Sequence, residues 1–222
     1  KRPIDDLDAL LEIDDFARMG ALRFYDDTVA LSQSSNIPTI KNIRELQNLV
    51  SKADDLTADL TELFDPGSPL GGARPKAGII DKGALKIAKF PKNDDNYNVE
   101  AWEKTMLDLA GQLDINVPKS EIMYTPLSKF AVLILDRFDR KDEQRQPYLS
   151  GMSALQAADN DQSGSYLDLV EFISQHGEIV DAQELWKRIV FGMLTNNYDD
   201  HLRNHGFLRE GDFWRLSPAF DI

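Results

Sequence analysis

Short apolar segments typical of β-strands fill the middle of the 222-residue chain, and amphipathic segments typical of helices follow them. Six consecutive apolar residues at 130–135, flanked by charged residues, predict a strand that is buried on both faces. The remaining strand patterns lie at residues 77–80, 84–90, 121–124 and 213–216, and the helix patterns lie at 40–63, 98–113, 166–174 and 181–196. This order predicts an α+β protein with two lobes, because strands and helices do not alternate as they do in βαβ units.

Turn-forming residues separate these segments. Asp81-Lys82-Gly83 stands between two strand patterns, so residues 77–90 predict a β-hairpin. Asp65-Pro66-Gly67 predicts the end of the helix that precedes the hairpin. Residues 141–165 are rich in Gln, Ser, Gly and Asp, which predicts a loop before the last helices.

Charge and composition narrow the class and location of the protein. Its 25 Lys and Arg against 38 Asp and Glu give a net charge of −13, which argues against nucleic-acid binding through bulk charge. The absence of cysteine excludes disulfides and Cys-ligated zinc. Apolar runs far shorter than the ~20 residues of a membrane span, and a start without a secretory pattern, lead us to expect a cytoplasmic protein. Because the chain starts at Lys1 and stops at Asp221-Ile222, we expect an excerpt of a longer protein.

A glycine-rich segment precedes the predicted hairpin. Glycines let the backbone approach a phosphate closely, and successive N–H groups then form an anion-binding nest. A tight turn is the alternative, and the segment is not a Walker A loop, which needs Gly-Lys-Ser/Thr at the start of a helix. The segment consists of Gly71, Gly72, Ala73, Arg74, Pro75 and Lys76.

A lysine lies inside the second strand of the predicted hairpin. Lys89 either extends outward from an edge strand or reaches into a site to hold phosphate. Glu103, on the next predicted helix, could pair with Lys89, as a helix glutamate pairs with the phosphate-binding lysine of protein kinases. Glu100 is the competitor for that pairing.

Eight of the ten residues at 196–205 are polar or charged, and the stretch directly follows an apolar helix pattern. Asp199 and Asn204 have the Asp-x-x-x-x-Asn spacing of the kinase catalytic loop, in which the Asp accepts the proton of the substrate hydroxyl and the Asn binds Mg²⁺. Asp221, after an aromatic residue, stands where kinases have a second Mg²⁺ carboxylate. The alternative is a metal site formed by His201 and His205 on one helix face, completed by Asp199 or Asp200.

Taken together, these segments resemble HipA-type serine/threonine kinases, the toxin components of bacterial toxin–antitoxin modules. The similarity runs from about residue 63 to the end of the chain. It implies a two-lobed, protein-kinase-like fold with a shortened N-terminal subdomain at 1–66, an ATP-binding β-rich lobe at 67–140 and the start of a helical catalytic lobe at 141–222. The segments that carry the resemblance are residues 68–76, Lys89, residues 136–140, residues 197–204 and Phe220-Asp221-Ile222.

The resemblance also implies a role for each matching residue. Gly71 to Lys76 would form the nucleotide-phosphate loop, Lys89 would bind phosphate, and Asp199 would be the general base. The residues that would line the adenine, the nucleotide and the metal are Asp136, Arg137 and Phe138 at the hinge, His201 and Asn204 beside the nucleotide, and Asn204 and Asp221 as Mg²⁺ ligands. The chain departs from many members at three positions. Asp200 stands where many members have Gly, and Arg203 stands where many have Lys. Pro69 aligns with the serine that members autophosphorylate, so Ser68, one residue earlier, becomes the candidate acceptor.

The implied function is an ATP- and Mg²⁺-dependent serine/threonine protein kinase. The resemblance suggests an aminoacyl-tRNA synthetase as its substrate and a DNA-binding antitoxin as its partner. A small-molecule phosphotransferase of kinase-like fold and a pseudokinase that serves as a binding module are the alternatives, and the intact Lys89, Asp199, Asn204 and Asp221 argue against the latter. A metal-dependent hydrolase centred on His201 and His205 is a further alternative.

Overall fold

The structure, a computed structural model, describes residues 7, 10–11, 13–31, 37–55, 74–141, 144–158 and 164–222. The chain divides into two compact units, one formed by Lys1–Lys104 with Ser120–Arg137 and the other by Thr105–Lys119 with Phe138–Ile222. Across the described ranges, no helix is long and apolar enough to cross a membrane.

The strands in chain order are β1 (Tyr25–Asp26), β2 (Val29–Ala30), β3 (Lys76–Asp81), β4 (Ala84–Lys89), β5 (Ser120–Met123), β6 (Val132–Asp136), β7 (Arg140–Lys141), β8 (Gln144–Arg145), β9 (Tyr148–Ser150), β10 (Gly206–Glu210) and β11 (Phe213–Leu216). The helices are α1 (Ile43–Asp55), α2 (Val99–Gln112), α3 (Gly151–Ala154), α4 (Tyr166–His176) and α5 (Ile179–Thr195), with 3-10 turns at Ile40–Asn42 and Leu202–Asn204. The mixture of strands and helices confirms the predicted α+β class.

The first unit contains a four-stranded antiparallel sheet in the order β3-β4-β6-β5. The apolar run predicted as a buried strand forms β6 between β4 and β5, and its first four residues are buried, which confirms the prediction. The predicted hairpin is also confirmed, with Lys82 and Gly83 at positive φ (49° and 84°) in its two-residue turn. Positive φ at both turn positions matches the twist of the flanking strands.

Helix α1 covers one face of this sheet. Ile43 and Val50 on the helix pack into one cluster with Ile79, Phe90 and other buried residues of the strands. The helix pattern at 40–63 begins as a 3-10 turn at Ile40–Asn42, and α1 starts at Ile43, while residues 56–63 lie outside the described part of the chain.

Helix α2 confirms the pattern at residues 98–113. The side chain of Asn98 accepts hydrogen bonds from the backbone N–H groups of Ala101 (3.3 Å) and Ala131 (3.2 Å), so it ties the start of the helix to the segment that leads into β6. Not all of the apolar stripe is buried, since Trp102 and Leu113 are more than half exposed.

The second unit contains a three-stranded antiparallel sheet in the order β11-β10-β9, packed with α4 and α5. Both helices and β11 confirm the predicted patterns. The prediction of a loop throughout 141–165 was wrong, because β9 and α3 form within it; residues 159–163 lie outside the described residues. Strand β9 pairs with β10, far along the sequence, and composition alone does not reveal such a partner.

Candidate active site

Lys89 lies in β4, a middle strand rather than an edge strand, and only 7% of its surface is exposed. Ala88 and Phe90 belong to the core packed against α1, so alternation along the strand places Lys89 on the opposite face of the sheet. Its Nζ lies 2.6 Å from Oε1 of Glu103 on α2. The predicted pairing of Lys89 with Glu103 is therefore confirmed, and the edge-strand interpretation of Lys89 was wrong.

Glu100, the competitor for Lys89, pairs with Arg74 instead. Nη2 of Arg74 lies 2.7 Å from Oε1 of Glu100 and 2.6 Å from Oδ2 of Asp95, and Nη1 donates to Oδ1 of Asp95 at 3.1 Å. Burial raises the pKa of Glu100, and the Arg74 guanidinium opposes that shift. The two carboxylates thus hold the guanidinium of Arg74, which the sequence had placed in the phosphate loop.

The remainder of the glycine-rich segment is described only at its end. The backbone N–H of Phe90 donates to the carbonyl of Pro75 (3.0 Å), and Lys76 stands opposite Lys89 in the β3–β4 ladder. Gly71, Gly72 and Ala73, together with the candidate acceptor Ser68 and its neighbour Pro69, lie outside the described residues. Their predicted roles stay predictions.

The three predicted hinge residues have different surroundings. Asp136 ends β6 and lies 3.3 Å from Nζ of Lys86. The side chain of Arg137 is buried and donates to the carbonyl of Ala17 at 3.0 Å, so an adenine contact at this position would come from the main chain. Phe138, in the second unit, packs against Phe220 with ring centroids 5.6 Å apart.

The predicted catalytic loop follows the end of α5, where Asn196 adopts the left-handed conformation (φ 58°). The side chain of Asn204 donates to the carbonyl of Asp199 at 2.9 Å, which closes the loop between the predicted base and the predicted Mg²⁺ ligand. The side chain of Asn197 accepts from the N–H of Asp199 (3.2 Å) and donates to the carbonyl of Asp221 (3.4 Å). The structure therefore brings Asp199, Asn204 and Asp221 together in one hydrogen-bonded group.

Asp221 has a positive φ of 54°, a conformation that non-glycine residues rarely adopt. Residues held in such regions concentrate at functional sites, where the surrounding structure fixes them. Burial, and to a lesser degree the carboxylates of Asp139 and Asp221, raises the pKa of Tyr148 to about 12, so its phenol stays neutral.

The histidine alternative does not match the geometry. His201 is exposed and precedes the 3-10 turn Leu202–Asn204, whereas His205 is buried and follows it, so the two do not share a face of one helix. Within the described ranges, no group of three or more His, Asp or Glu side chains is placed to hold a metal ion. The prediction that His201 and His205 lie on one helix face was wrong.

The sequence offered Asp200 only as a residue that could complete the alternative His201–His205 metal site, yet it is the best-connected carboxylate of the loop. Tyr166 donates its hydroxyl to Oδ2 of Asp200 at 2.5 Å, and Nε2 of His205 lies 2.9 Å from Oδ1. Burial favours the neutral acid, but the contacts with His205 and Tyr166 outweigh it and lower the pKa of Asp200. The adjacent Asp199, in contrast, is exposed.

Two buried charges hold the elements that flank this loop. Arg188 on α5 donates to the carbonyl of Ser217 at 2.7 Å and to Glu184 one turn earlier. Asp181, at the start of α5, accepts from the backbone N–H of Leu216 (3.1 Å) and from Arg215 (2.7 Å). These contacts fix β11 and the segment after it, which leads to Asp221, against α5.

The fold is kinase-like. HipA from Shewanella oneidensis MR-1, solved as a toxin–antitoxin complex with HipB and operator DNA, matches with a TM-score of 0.68 and 22% identity over 91% of this chain and 54% of its own. The Helicobacter pylori proinflammatory kinase CtkA matches with a TM-score of 0.53 and 19% identity over 68% of this chain and 55% of its own.

The sequence defines the family more narrowly. A model of the HipA-like C-terminal domain matches residues 68–222, and the chain belongs to that family. A Haemophilus influenzae protein named "Putative kinase" is 33% identical over 101 residues, which are 40% of this chain and 29% of that protein. The chain thus spans about half the length of the solved relatives and less than a third of the Haemophilus protein.

Proposed function

We propose that the chain transfers the γ-phosphoryl group of ATP, in the presence of Mg²⁺, to a serine or threonine hydroxyl of another protein. The observation that carries the proposal is the buried Lys89 on a middle strand, 2.6 Å from Glu103 on the following helix. A buried ammonium is costly unless it is paired, and kinases use this pair to hold the α- and β-phosphates.

The polar loop supplies the remaining groups for this chemistry. The exposed carboxylate of Asp199 would accept the proton of the acceptor hydroxyl. The hydroxyl oxygen would form the new bond to the γ-phosphorus while the bond from that phosphorus to ADP breaks. Asn204 uses its amide nitrogen to bind the carbonyl of Asp199, so its side-chain oxygen is the atom suited to a cation.

The donor set suits Mg²⁺ only in company with nucleotide. Asn204 and Asp221 offer oxygen ligands, which Mg²⁺ prefers, but two protein ligands are few for an octahedral ion. The remaining positions would come from phosphate oxygens and water. When bound, Mg²⁺ supplies positive charge that offsets the charge of the phosphates.

The substrate and partner follow by analogy with the family. We propose a bacterial protein such as an aminoacyl-tRNA synthetase as the acceptor and a DNA-binding antitoxin as the partner. The Shewanella relative was solved in a complex with HipB and operator DNA, which supports the proposal of an antitoxin partner. The net charge of −13 favours contact with DNA through such a partner rather than directly.

The test separates ATP binding from phosphoryl transfer. Asp199→Asn removes the base and keeps the shape of the side chain, so we expect the kcat for ADP formation with a protein acceptor to fall by about 100-fold or more. ATP affinity, measured by calorimetric titration with Mg²⁺, should change by less than about threefold, because Asp199 does not bind the phosphates in this proposal.

Asp212→Asn is the matched control, because Asp212 is a fully exposed aspartate in the β10–β11 turn. It should retain the wild-type rate. Wild-type ADP formation by the Asp199→Asn variant would refute the role of Asp199, and failure of the wild-type chain to bind ATP would refute the proposed function.

A further inference from the structure

Asp200 connects the catalytic loop to two elements of the second unit. It accepts from Tyr166, the first residue of α4, at 2.5 Å, and it lies 2.9 Å from Nε2 of His205, which directly precedes β10. The two partners also contact each other, since the ring of Tyr166 packs edge-on against the imidazole of His205 with centroids 5.8 Å apart. One oxygen of the carboxylate therefore accepts a hydrogen bond, the other lies at ion-pair distance from the imidazole, and the three side chains form a closed group.

The partners of Asp200 are themselves fixed. His205 is only 5% exposed, and its carbonyl accepts a hydrogen bond of 2.7 Å from the N–H of Gly151 on α3. A Cβ at Gly151 would lie 2.8 Å from the carbonyl of Leu202, so this backbone approach leaves no room for a side chain. Asp200 thus connects the loop to His205, whose own backbone is fixed by close packing against α3.

Neighbouring residues in the loop consequently have opposite environments. Asp199 is exposed, with its main chain held by Asn197 and Asn204, whereas the side chain of Asp200 is 19% exposed and held at both oxygens. Fixing the side chain of Asp200 restricts the backbone of Asp199, because the two residues share a peptide bond.

We propose that Asp200, held by Tyr166 and His205, is a positioning residue that keeps the carboxylate of Asp199 in place for proton transfer. The inference rests on the proposed kinase function. Asp200 touches no reacting atom in this account, and its effect passes through the backbone of the loop. Misplacement of a catalytic group by about 1 Å can lower a rate about 100-fold, which sets the scale of the effect.

The variants separate positioning from stability. Asp200→Ala removes both contacts, Asp200→Asn keeps one acceptor oxygen, and Tyr166→Phe removes a single donor. Asp168→Asn is the matched control, because this exposed residue caps α4 through Ser165 and takes no part in the loop contacts. It weakens the helix on which Tyr166 lies without altering the Asp200 group.

Three quantities are measured on the full chain: kcat and KM for ATP with a protein acceptor, the melting temperature, and the hydrogen-exchange rates of backbone amides in residues 197–204. For Asp200→Ala we expect kcat to fall about 10- to 100-fold with KM for ATP within about threefold of wild type. Loop amides should exchange faster while the sheet amides do not. Asp200→Asn should restore part of kcat, and Asp168→Asn should lower the melting temperature without lowering kcat.

Two results would overturn the inference: loop exchange in Asp200→Ala equal to wild type, or a loss of kcat no greater than that of Asp168→Asn. If the wild-type chain transfers no phosphate, the proposed function fails. The exchange comparison then decides the positioning claim alone, since faster loop exchange in Asp200→Ala supports it and unchanged exchange refutes it.

Discussion

Replacing Arg74 by methionine removes the cation that two carboxylates share in the first unit. Glu100 is 1% exposed and Asp95 9% exposed at the side chain, whereas Arg74 is 28% exposed. Breaking a buried ion pair at one partner costs about 3–5 kcal/mol, because an unpaired charge stays buried. The partial exposure of Arg74 places the expected loss of unfolding free energy at the lower end, about 3 kcal/mol.

The loss should depend on pH in a defined direction. Burial already raises the pKa of Glu100, and the variant lacks the guanidinium that opposes this shift. A carboxyl whose pKa is higher in the folded state than in the unfolded state binds more protons when folded, so stability falls as pH rises. We expect the deficit of Arg74→Met to be smallest near the unfolded pKa of about 4.3 and to grow as pH rises through the folded pKa.

Urea unfolding followed by tryptophan fluorescence at several pH values measures both effects. The double variant Arg74→Met/Glu100→Gln removes the more deeply buried of the two carboxylate charges, so it should regain part of the loss and show a weaker pH dependence. An Arg74→Met variant within about 0.5 kcal/mol of wild type at neutral pH, or a deficit that does not change with pH, would show that Arg74 does not offset a buried charge.

Three further predictions concern the two units separately. Lys89→Met should weaken ATP binding, measured by calorimetry, by about tenfold or more, and it should lower the rate of ADP formation as well. Glu103→Gln should show a smaller loss. Unchanged ATP affinity in Lys89→Met would refute the role of Lys89. Gly206→Ala should lower the unfolding free energy by about 1–3 kcal/mol, because a Cβ there overlaps a tyrosine ring. Gly192→Ala is the control, because Gly192 lies within helix α5 and its new Cβ would come no closer than 3.9 Å to a side chain. The free energy of unfolding should rise by about 0.5–1 kcal/mol, since alanine favours a helix more than glycine does. Equal losses in the two variants would contradict the packing argument. Mn²⁺ can replace Mg²⁺ as a probe, because its binding can be followed by electron paramagnetic resonance. It should bind only when nucleotide is present, and its affinity should fall in Asn204→Ala. Tight binding of Mn²⁺ without nucleotide would contradict the proposed Mg²⁺ ligands.

Local patterns predicted the elements whose burial depends on near neighbours. The apolar run at 130–135 predicted β6, and the Lys82-Gly83 turn predicted the hairpin, because turn chemistry and continuous apolarity act over a few residues. The pair of Lys89 and Glu103 was also predictable, since a charge inside an apolar strand requires a partner.

Partners that are far apart in sequence were not predictable in the same way. Strand β9 depends on β10, whose residues lie more than 50 positions later, so a polar segment was interpreted as a loop. Glu100 pairs with Arg74, and Asp200 contacts Tyr166. Both contacts depend on how the helices pack against the rest of each unit, which spacing along the sequence does not reveal. The high density of polar residues at 196–205 was the available signal, and it indicated a site without showing that Asp199 is exposed and Asp200 is held by Tyr166 and His205.

Transfer of label from ATP radiolabelled at its γ-phosphate is a direct test of phosphoryl transfer to protein. The wild-type chain is incubated with Mg²⁺ and a dialysed, heat-treated bacterial extract as the source of acceptor proteins, and the phosphorylated residues are identified after acid hydrolysis. We expect Mg²⁺-dependent label on serine or threonine, lost in Asp199→Asn. Label that is absent from protein, or equal incorporation by wild type and Asp199→Asn, would contradict it.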